Sequence, residues 1–260
     1  MNDSKFLQVA KQVALEAGDL ISNLFGKDIG LTLKNGDSSN LLTKADLGSE
    51  QLIVNLIKEN FPDHNIIAEE NNKTDLDSLF TWVIDPLDGT TSFASGIPNF
   101  AVSVGLLKDN KPFLGVINWV VQKELYWAQK GKGAYLNGKK ISVRKIKKIE
   151  DGVFGFSVGT TARREGKLKA YILPLFSTVR YPYILGSIAV DLSLVSKGVL
   201  DAAIGQGFMW DFIGGVILVS EAGGRVTDLE GYEPDWTQER LSIVASNGLI
   251  HDQILEALKR

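Results

Sequence analysis

The segment Trp82-Val83-Ile84-Asp85-Pro86-Leu87-Asp88-Gly89-Thr90-Thr91-Ser92-Phe93 constrains this chain more than any other. An apolar run of β type passes directly into two acids, a proline, a glycine and two threonines, an order that packing alone does not require. A buried strand ending in Asp-Pro-x-Asp sets two carboxylates at the margin of a sheet, where loop residues rather than core residues belong. Pro86 fixes the backbone between them, and Gly89 lets a ligand approach the main chain closely. If Thr90 and Thr91 open a helix, its free N–H groups and dipole form an anion site beside the acids. Acids next to a phosphate-sized anion site point to metal-assisted phosphoryl chemistry. The plainer alternative is that Asp85 and Asp88 brace a turn and Thr90 caps a helix.

Composition narrows the chemistry. The 260 residues include no cysteine and only two histidines, His64 and His251. That excludes disulfides, thiolate nucleophiles and Cys-ligated metals, and leaves too little imidazole for a His-rich metal site. Carboxylates, hydroxyls, lysines and backbone groups remain, the ligand set preferred by hard cations such as Mg2+. Lys and Arg total 28 against 31 Asp and Glu, a net charge of −3. No global positive field attracts a polyanion, so nucleic acid is a poor default partner. Residues 1–20 carry Asp3, Glu16 and Asp19 and lack the features of a signal peptide. The most apolar stretch, Phe212 to Val219, is far short of the ~20 residues that span a bilayer. The expectation is a cytoplasmic protein with no membrane segment.

The length suits a single domain over 1–260, built from two closely packed halves, 1–148 and 149–260. The basic run Arg144 to Lys148 reads as the surface connection between them. Phe6, Val9, Val13, Ala17, Leu20 and Leu24 recur at helical spacing, residues 27–44 read as a polar loop, and a second helix runs from about Asp46 to Asn60 before Pro62. Short β runs follow at Asn65–Ala68, Phe80–Ile84, Ala101–Leu107, Phe113–Trp119 and Glu124–Gln129, with Asp109-Asn110-Lys111-Pro112 as a hairpin turn. From about Val153, strands alternate with helices near Ala162–Ile172, Ser187–Lys197, Asp211–Ala222 and Ile250–Lys259. The architecture expected is mixed α and β in layers, helices covering sheets.

Other acids sit where a regular element meets a loop. Glu69 and Glu70 follow the run Asn65-Ile66-Ile67-Ala68, Asp46 stands at the start of the second helix where N-capping would explain it, and Asp211 follows Trp210 before Phe212-Ile213-Gly214-Gly215. Add Leu42-Thr43-Lys44-Ala45-Asp46, Gly131-Lys132-Gly133-Ala134-Tyr135-Leu136-Asn137-Gly138, Gly186-Ser187-Ile188-Ala189 and Glu221-Ala222-Gly223-Gly224. Together with the Asp85–Thr91 run, these segments resemble the inositol monophosphatase family, part of the lithium-sensitive, magnesium-dependent sugar phosphatase superfamily, over nearly the whole chain.

The resemblance implies an α+β fold, the layered αβαβα sugar-phosphatase arrangement with a mixed or antiparallel central sheet and a second α/β half. It implies two or three Mg2+ ions: one held by Glu69, Asp85 and the Leu87 carbonyl, one shared by Asp85, Asp88 and Asp211, and a weaker third near Glu69. In the catalytic set, with Glu69, the Thr90 hydroxyl aided by Asp46 orients and deprotonates the attacking water. Backbone N–H groups of Gly89 and Thr90, with Thr91 nearby, hold the phosphate. Gly186, Ser187 and Ile188, with Asp88 and Asp211, complete the substrate side.

The implied activity is hydrolysis of a small phosphate monoester, foremost inositol 1-phosphate or a related polyol or sugar phosphate. Fructose 1,6-bisphosphate, histidinol phosphate and adenosine 3′,5′-bisphosphate are alternatives within the superfamily, and regulatory binding through surface contacts is an alternative of another class. A homodimer and inhibition by lithium are further family expectations. Two departures bear on specificity. Ala203-Ile204-Gly205-Gln206-Gly207-Phe208-Met209 lacks the glutamate that inositol-specific members carry before Trp-Asp, leaving Gln206 as the candidate polyol contact. Ser92 and Ser95 replace the Asn and His often found after the Asp-Gly-Thr-Thr run. A bisphosphate would need a cationic clamp, for which Arg180 or the pair Arg163-Arg164 is available, and Lys34 lies where some members place a lysine near the site.

Overall fold

A computed structural model of the protein describes residues 3–27, 30–36, 41–71 and 73–259. Helical apolar spacing winds α1 (Asp3–Leu24). The segment expected as a loop is partly ordered: β1 (Leu31–Leu33) and β2 (Leu41–Thr43) pair antiparallel around a tight turn at Lys34–Gly36. Residues 28, 29 and 37–40 of that segment lie outside the described residues. In α2 (Lys44–Asn60) the N-cap is Thr43, with Asp46 three residues on closing a capping box, so Asp46 is not itself the cap.

The next strands are β3 (Asn65–Ala68), β4 (Phe80–Asp88), β5 (Ala101–Lys108), β6 (Lys111–Trp119), β7 (Glu124–Gln129), β8 (Gly133–Leu136) and β9 (Lys139–Ile141), with α3 (Thr90–Ala94) between β4 and β5. They form one sheet in chain order, parallel only between β3 and β4. Asp109 and Asn110, both at positive φ (51° and 54°), make the β5–β6 turn that the sequence predicts. β4 runs on through Asp85 to Asp88, four residues beyond the expected end at Ile84, so both acids belong to an irregular strand end rather than a loop.

The second sheet uses β10 (Val153–Phe156), β11 (Tyr181–Tyr183), β12 (Ala202–Phe208), β13 (Arg225–Thr227) and β14 (Arg240–Ser246) in the order β11-β10-β12-β14-β13. Its helices are α4 (Thr161–Lys167), α5 (Leu173–Phe176), α6 (Ile188–Ser196), α7 (Met209–Glu221) and α8 (His251–Leu258). The helix expected near Ala162–Ile172 is interrupted, because a wide turn at Leu168–Ile172 separates α4 from α5, where Pro174 lacks the N–H of a continuous ladder.

Strand alternation sorts the core into layers. Trp82, Ile84, Val102 and Val104 face α1 and α2, whereas Val83, Ala101 and Ile117 face α6 and α7. In the second sheet Ala203, Ile243 and Ala245 face α6 and α7 from the other side, while Ala202, Ile204 and Val244 pack against α8 and the Tyr171–Leu175 segment. The order is therefore helix, sheet, helix, sheet, helix: a layered α+β fold. α7 lies close on the first sheet because glycines face glycines there. A Cβ on Gly115 would stand 2.1 Å from the Gly214 carbonyl oxygen, and one on Gly214 would stand 2.4 Å from Ser103 Oγ.

Candidate active site

Register brings the acids together. Ala68 pairs with Ile84 in the parallel β3–β4 ladder, so the next residue of each strand, Glu69 and Asp85, leaves the sheet side by side. Beyond Asp85 the pairing of β4 with β5 slips, resuming only at Asp88 opposite Ala101, and in the bulge the Leu87 N–H donates to Asp85 Oδ1 at 3.0 Å. Gly89, at φ +96°, turns the chain into α3, and a side chain there would meet the Asn99 carbonyl.

Asp46 is fully buried. Its Oδ2 accepts from the Thr43 N–H and hydroxyl, and its Oδ1 lies 3.0 Å from the Thr90 hydroxyl, which is also 3.0 Å from the Leu87 carbonyl. The second half of the chain supplies the opposite wall. Asp88 Oδ2 accepts from Ser187 Oγ (2.7 Å) and the Ala189 N–H (2.6 Å) at the start of α6. Asp211 lies in the first turn of α7, which begins at Met209, and its Oδ2 accepts the Phe208 N–H at 2.7 Å. A Cβ on Gly207 would stand 2.1 Å from that oxygen, so only glycine fits beside it.

Glu69, Asp85, Leu87, Asp88, Gly89, Thr90, Ser187 and Asp211 line a cleft of 690 Å3 together with Thr91, Gly186 and Ile188, and Asp46 reaches it through its contact with Thr90. Its acids carry uncompensated charge. Burial first, then repulsion from Glu69 and the neighbouring aspartates, pushes Asp85 and Asp211 well above the ordinary carboxylate range, and burial raises Asp88 and Asp46. Among the described residues one ammonium is in ion-pair contact with this cluster: Lys34 Nζ, 2.9 Å from Glu69 and 2.6 Å from Glu70. Burial works against that charge, yet the two glutamates hold the Lys34 pKa above its usual value. Glu70 is pushed up to about 7, chiefly by burial.

No three His, Asp or Glu side chains among the described residues are already drawn together as a metal site. The donors nevertheless fit a hard divalent cation, since they are carboxylate and carbonyl oxygens without nitrogen or sulfur and share one sign of buried charge.

The chain matches the model of the inositol monophosphatase family over residues 2–260. It belongs to that family. A fructose-1,6-bisphosphatase/inositol-1-monophosphatase of Aquifex aeolicus is 35% identical, covering 100% of this chain and 97% of that protein. An inositol-1-monophosphatase of Bacillus subtilis is 33% identical, covering 96% and 94%. Among solved structures, the extragenic suppressor protein suhB of Bartonella henselae superimposes with a TM-score of 0.91 at 30% identity, covering 98% of this chain and 99% of that one. The inositol monophosphatase of Anabaena gives 0.88 at 33%, covering 100% and 97%. As a member of the inositol monophosphatase family the chain is a phosphoric monoester hydrolase, and the family is generally metal-dependent.

Within this family frame, some motif residues are structural. Glu221 accepts the N–H groups of Gly131 (2.8 Å) and Gly133 (2.7 Å), tying the Glu-Ala-Gly-Gly end of α7 to the β7–β8 turn. Arg180 pairs with Asp151 at 3.3 Å and does not line the cleft, whereas Arg163 and Arg164 do. Gln206 lines the cleft too, and its main-chain carbonyl accepts from the Lys167 ammonium. Lys167 and Arg240 also line it, and sequence reasoning missed both. Each lies remote in sequence from the acids, and no motif marks either. No helix among the described residues is long and apolar enough to cross a membrane.

Proposed function

We propose that the protein is a Mg2+-dependent phosphatase of small polyol or sugar phosphates, inositol 1-phosphate foremost, acting in the cytoplasm. The observation that carries this reading is the Thr90 hydroxyl 3.0 Å from Asp46, beside the acid-lined cleft. Glu69, Asp85 and the Leu87 carbonyl would hold one ion, Asp85, Asp88 and Asp211 a second, and Glu69 part of a weaker third. Bound there, Mg2+ supplies Lewis-acid neutralisation of the phosphoryl charge. Asp46 receives the Thr90 proton as the threonine oxygen takes one from the attacking water, so the pair orients and activates the nucleophile. The N–H groups of Gly89 and Thr90, near Thr91, hold the phosphate, while Gly186, Ser187 and Ile188 bound the alcohol side.

Phosphate release should be measured on inositol 1-phosphate, fructose 1,6-bisphosphate, histidinol phosphate and adenosine 3′,5′-bisphosphate, with and without Mg2+, with Asp85→Asn as the blank. Mg2+-dependent turnover that the variant loses is the expected result, with inhibition by Li+ alongside it. Absence of turnover on all four would overturn the reading.

The protein is expected to be a homodimer. The free edge of β11 supports this, with Tyr181, Tyr183 and Ile184 exposed beside it. Light scattering on the purified chain should give twice the monomer mass, and a monomer at micromolar concentration would count against it.

A further inference from the structure

Six acids line the cleft, and the cation reading uses four of them, Glu69, Asp85, Asp88 and Asp211. Of the other two, Glu239 is exposed. Asp191 is 1% exposed, and its Oδ1 has no hydrogen-bond partner. The first turn of α6 favours an acid through the helix dipole, yet its N–H groups are already taken. The Ala189 N–H goes to Asp88 Oδ2 at 2.6 Å, that of Val190 to Ser187 Oγ at 3.2 Å, and that of Asp191 itself to the Ser187 carbonyl at 3.1 Å. Among the described residues no lysine or arginine is in ion-pair contact with Asp191.

Its surroundings belong to the alcohol side of the cleft. Asp191 follows Ser187 and Ile188 at i+4 and i+3, so it shares their face of α6. Against it lies β10, where Gly155 brings no side chain: a Cβ there would stand 2.8 Å from Asp191 Cγ. Two residues on, Ser157 lines the cleft, and a Cβ on Gly205 of β12 would stand 3.0 Å from it and 3.5 Å from Ile188. Burial, then the charge of Asp88, pushes the Asp191 carboxyl well above the ordinary carboxylate range. An unpartnered buried oxygen costs free energy, and departures of this kind concentrate at functional sites. A hydroxyl is the matching group. It donates to a carboxylate or accepts from a carboxylic acid, and unlike a phosphate it brings no negative charge to a wall that already holds Asp88.

We propose that Asp191 is a specificity residue whose Oδ1 exchanges a hydrogen bond with a hydroxyl on the alcohol part of the substrate, so that the enzyme prefers a polyol ester to a plain alkyl one. The inference rests on the phosphatase reading and deepens it. It puts recognition of the hydroxyls on α6, in a chain whose stretch before Trp210 lacks the glutamate of the inositol-specific members.

Inositol 1-phosphate and cyclohexyl phosphate isolate the hydroxyls, since both are esters of a six-carbon ring and only the first carries ring hydroxyls. The wild type should favour inositol 1-phosphate by ~10-fold or more in kcat/KM. Asp191→Ala should cut that preference severalfold, chiefly through KM for the inositol ester, while Asp191→Asn, which keeps an oxygen for the hydroxyl, should retain most of it. Asp191→Asn should also unfold in urea no earlier than the wild type, because it relieves the burial of a carboxyl group without a partner. An undiminished preference in Asp191→Ala, or an equal loss on both esters with a lowered urea midpoint in both variants, would overturn the assignment. Calorimetric binding of the two esters in an Asp85→Asn background separates the two ideas. A preference there that Asp191→Ala removes, with no turnover by the wild type, keeps the assignment and removes the phosphatase reading. No preference by rate or by calorimetry removes the assignment alone.

A different observation concerns α2. Asp46, Ser49 and Glu50 fall at i, i+3 and i+4 on one face of that helix, and each reaches a separate segment of the site. Asp46 accepts from Thr90, Ser49 Oγ donates to the Pro86 carbonyl at 2.9 Å, and the buried Glu50 accepts the N–H of Glu70 at 2.7 Å and of Asn71 at 2.9 Å, the two amides that follow Glu69. We infer that Glu50 is a positioning residue that aims Glu69 at the cation the phosphatase reading requires. Glu50→Gln turns one acceptor into a donor facing an N–H, and Mg2+ affinity by calorimetry should fall ~10-fold. The Mg2+ concentration for half-maximal rate should rise more than kcat falls. Ser49→Ala, a milder change on the same face, should weaken Mg2+ binding severalfold. Wild-type Mg2+ affinity in both variants would overturn the inference.

Discussion

Thr90 has one hydroxyl proton and two acceptors at 3.0 Å, the buried Asp46 carboxylate and the Leu87 carbonyl. Thr90→Val keeps the shape and removes the proton route. kcat should fall ~100-fold or more while the urea midpoint moves little, and retained turnover would remove the pair from the mechanism. His251 is different in kind. Its ring is buried between Thr227 (2.9 Å) and Ser246 (2.8 Å), it does not line the cleft, and burial holds its pKa down to about 4. A histidine whose folded pKa lies below its unfolded value stabilises fully above the unfolded value and loses that contribution as pH falls toward the folded one. The His251 contribution to stability is therefore lost from about pH 6.5 toward 4, opposite in sign to the contribution of the cleft acids, and the check specific to it is that the ring should show no NMR titration above about pH 5. With two histidines in the chain, its resonance is readily assigned.

At the scale of elements, α7 is the component with least room. A methyl at Gly115 would point into the Gly214 carbonyl at 2.1 Å, a backbone contact that no rotamer relieves. Gly115→Ala should cost about 1–3 kcal/mol in a urea melt, whereas Gly166→Ala, where a Cβ meets nothing within 4 Å, should be nearly neutral. Similar melting curves for the two would mean that α7 can shift on its sheet. Elements with clear period were legible: α1, β3 and β7 follow from spacing and turn residues, since local pattern and tertiary burial agree there. The β1–β2 pair was not, because its short strands sit among Gly, Asn and Ser that read as loop. The interruption between α4 and α5 was also hidden, because apolar spacing continues through it.

For the molecule as a whole, the buried acids oppose folding when ionised. Their folded pKa values are raised, so their contribution is favourable below the ordinary carboxylate range and is lost as pH rises through the raised values. The metal-free protein should lose stability between about pH 4 and 7, the range Glu70 enters with a pKa of about 7. Mg2+ at ~100 times its Kd should restore about 2.7 kcal/mol at neutral pH. Asp85→Asn should show less of both effects, and a Mg2+-independent melting temperature would argue against a cation in the cleft. The residue types, the order of elements and the layered fold could be read from the chain, because Asp-Pro-x-Asp-Gly-Thr-Thr and its companion motifs are local patterns. Only the tertiary structure could place Asp88 on the start of α6, send Arg180 to Asp151 and away from the cleft, and gather Lys167 and Arg240 on one wall. Those facts depend on how two sheets pack around α6 and α7, and sequence separation carries no record of that geometry.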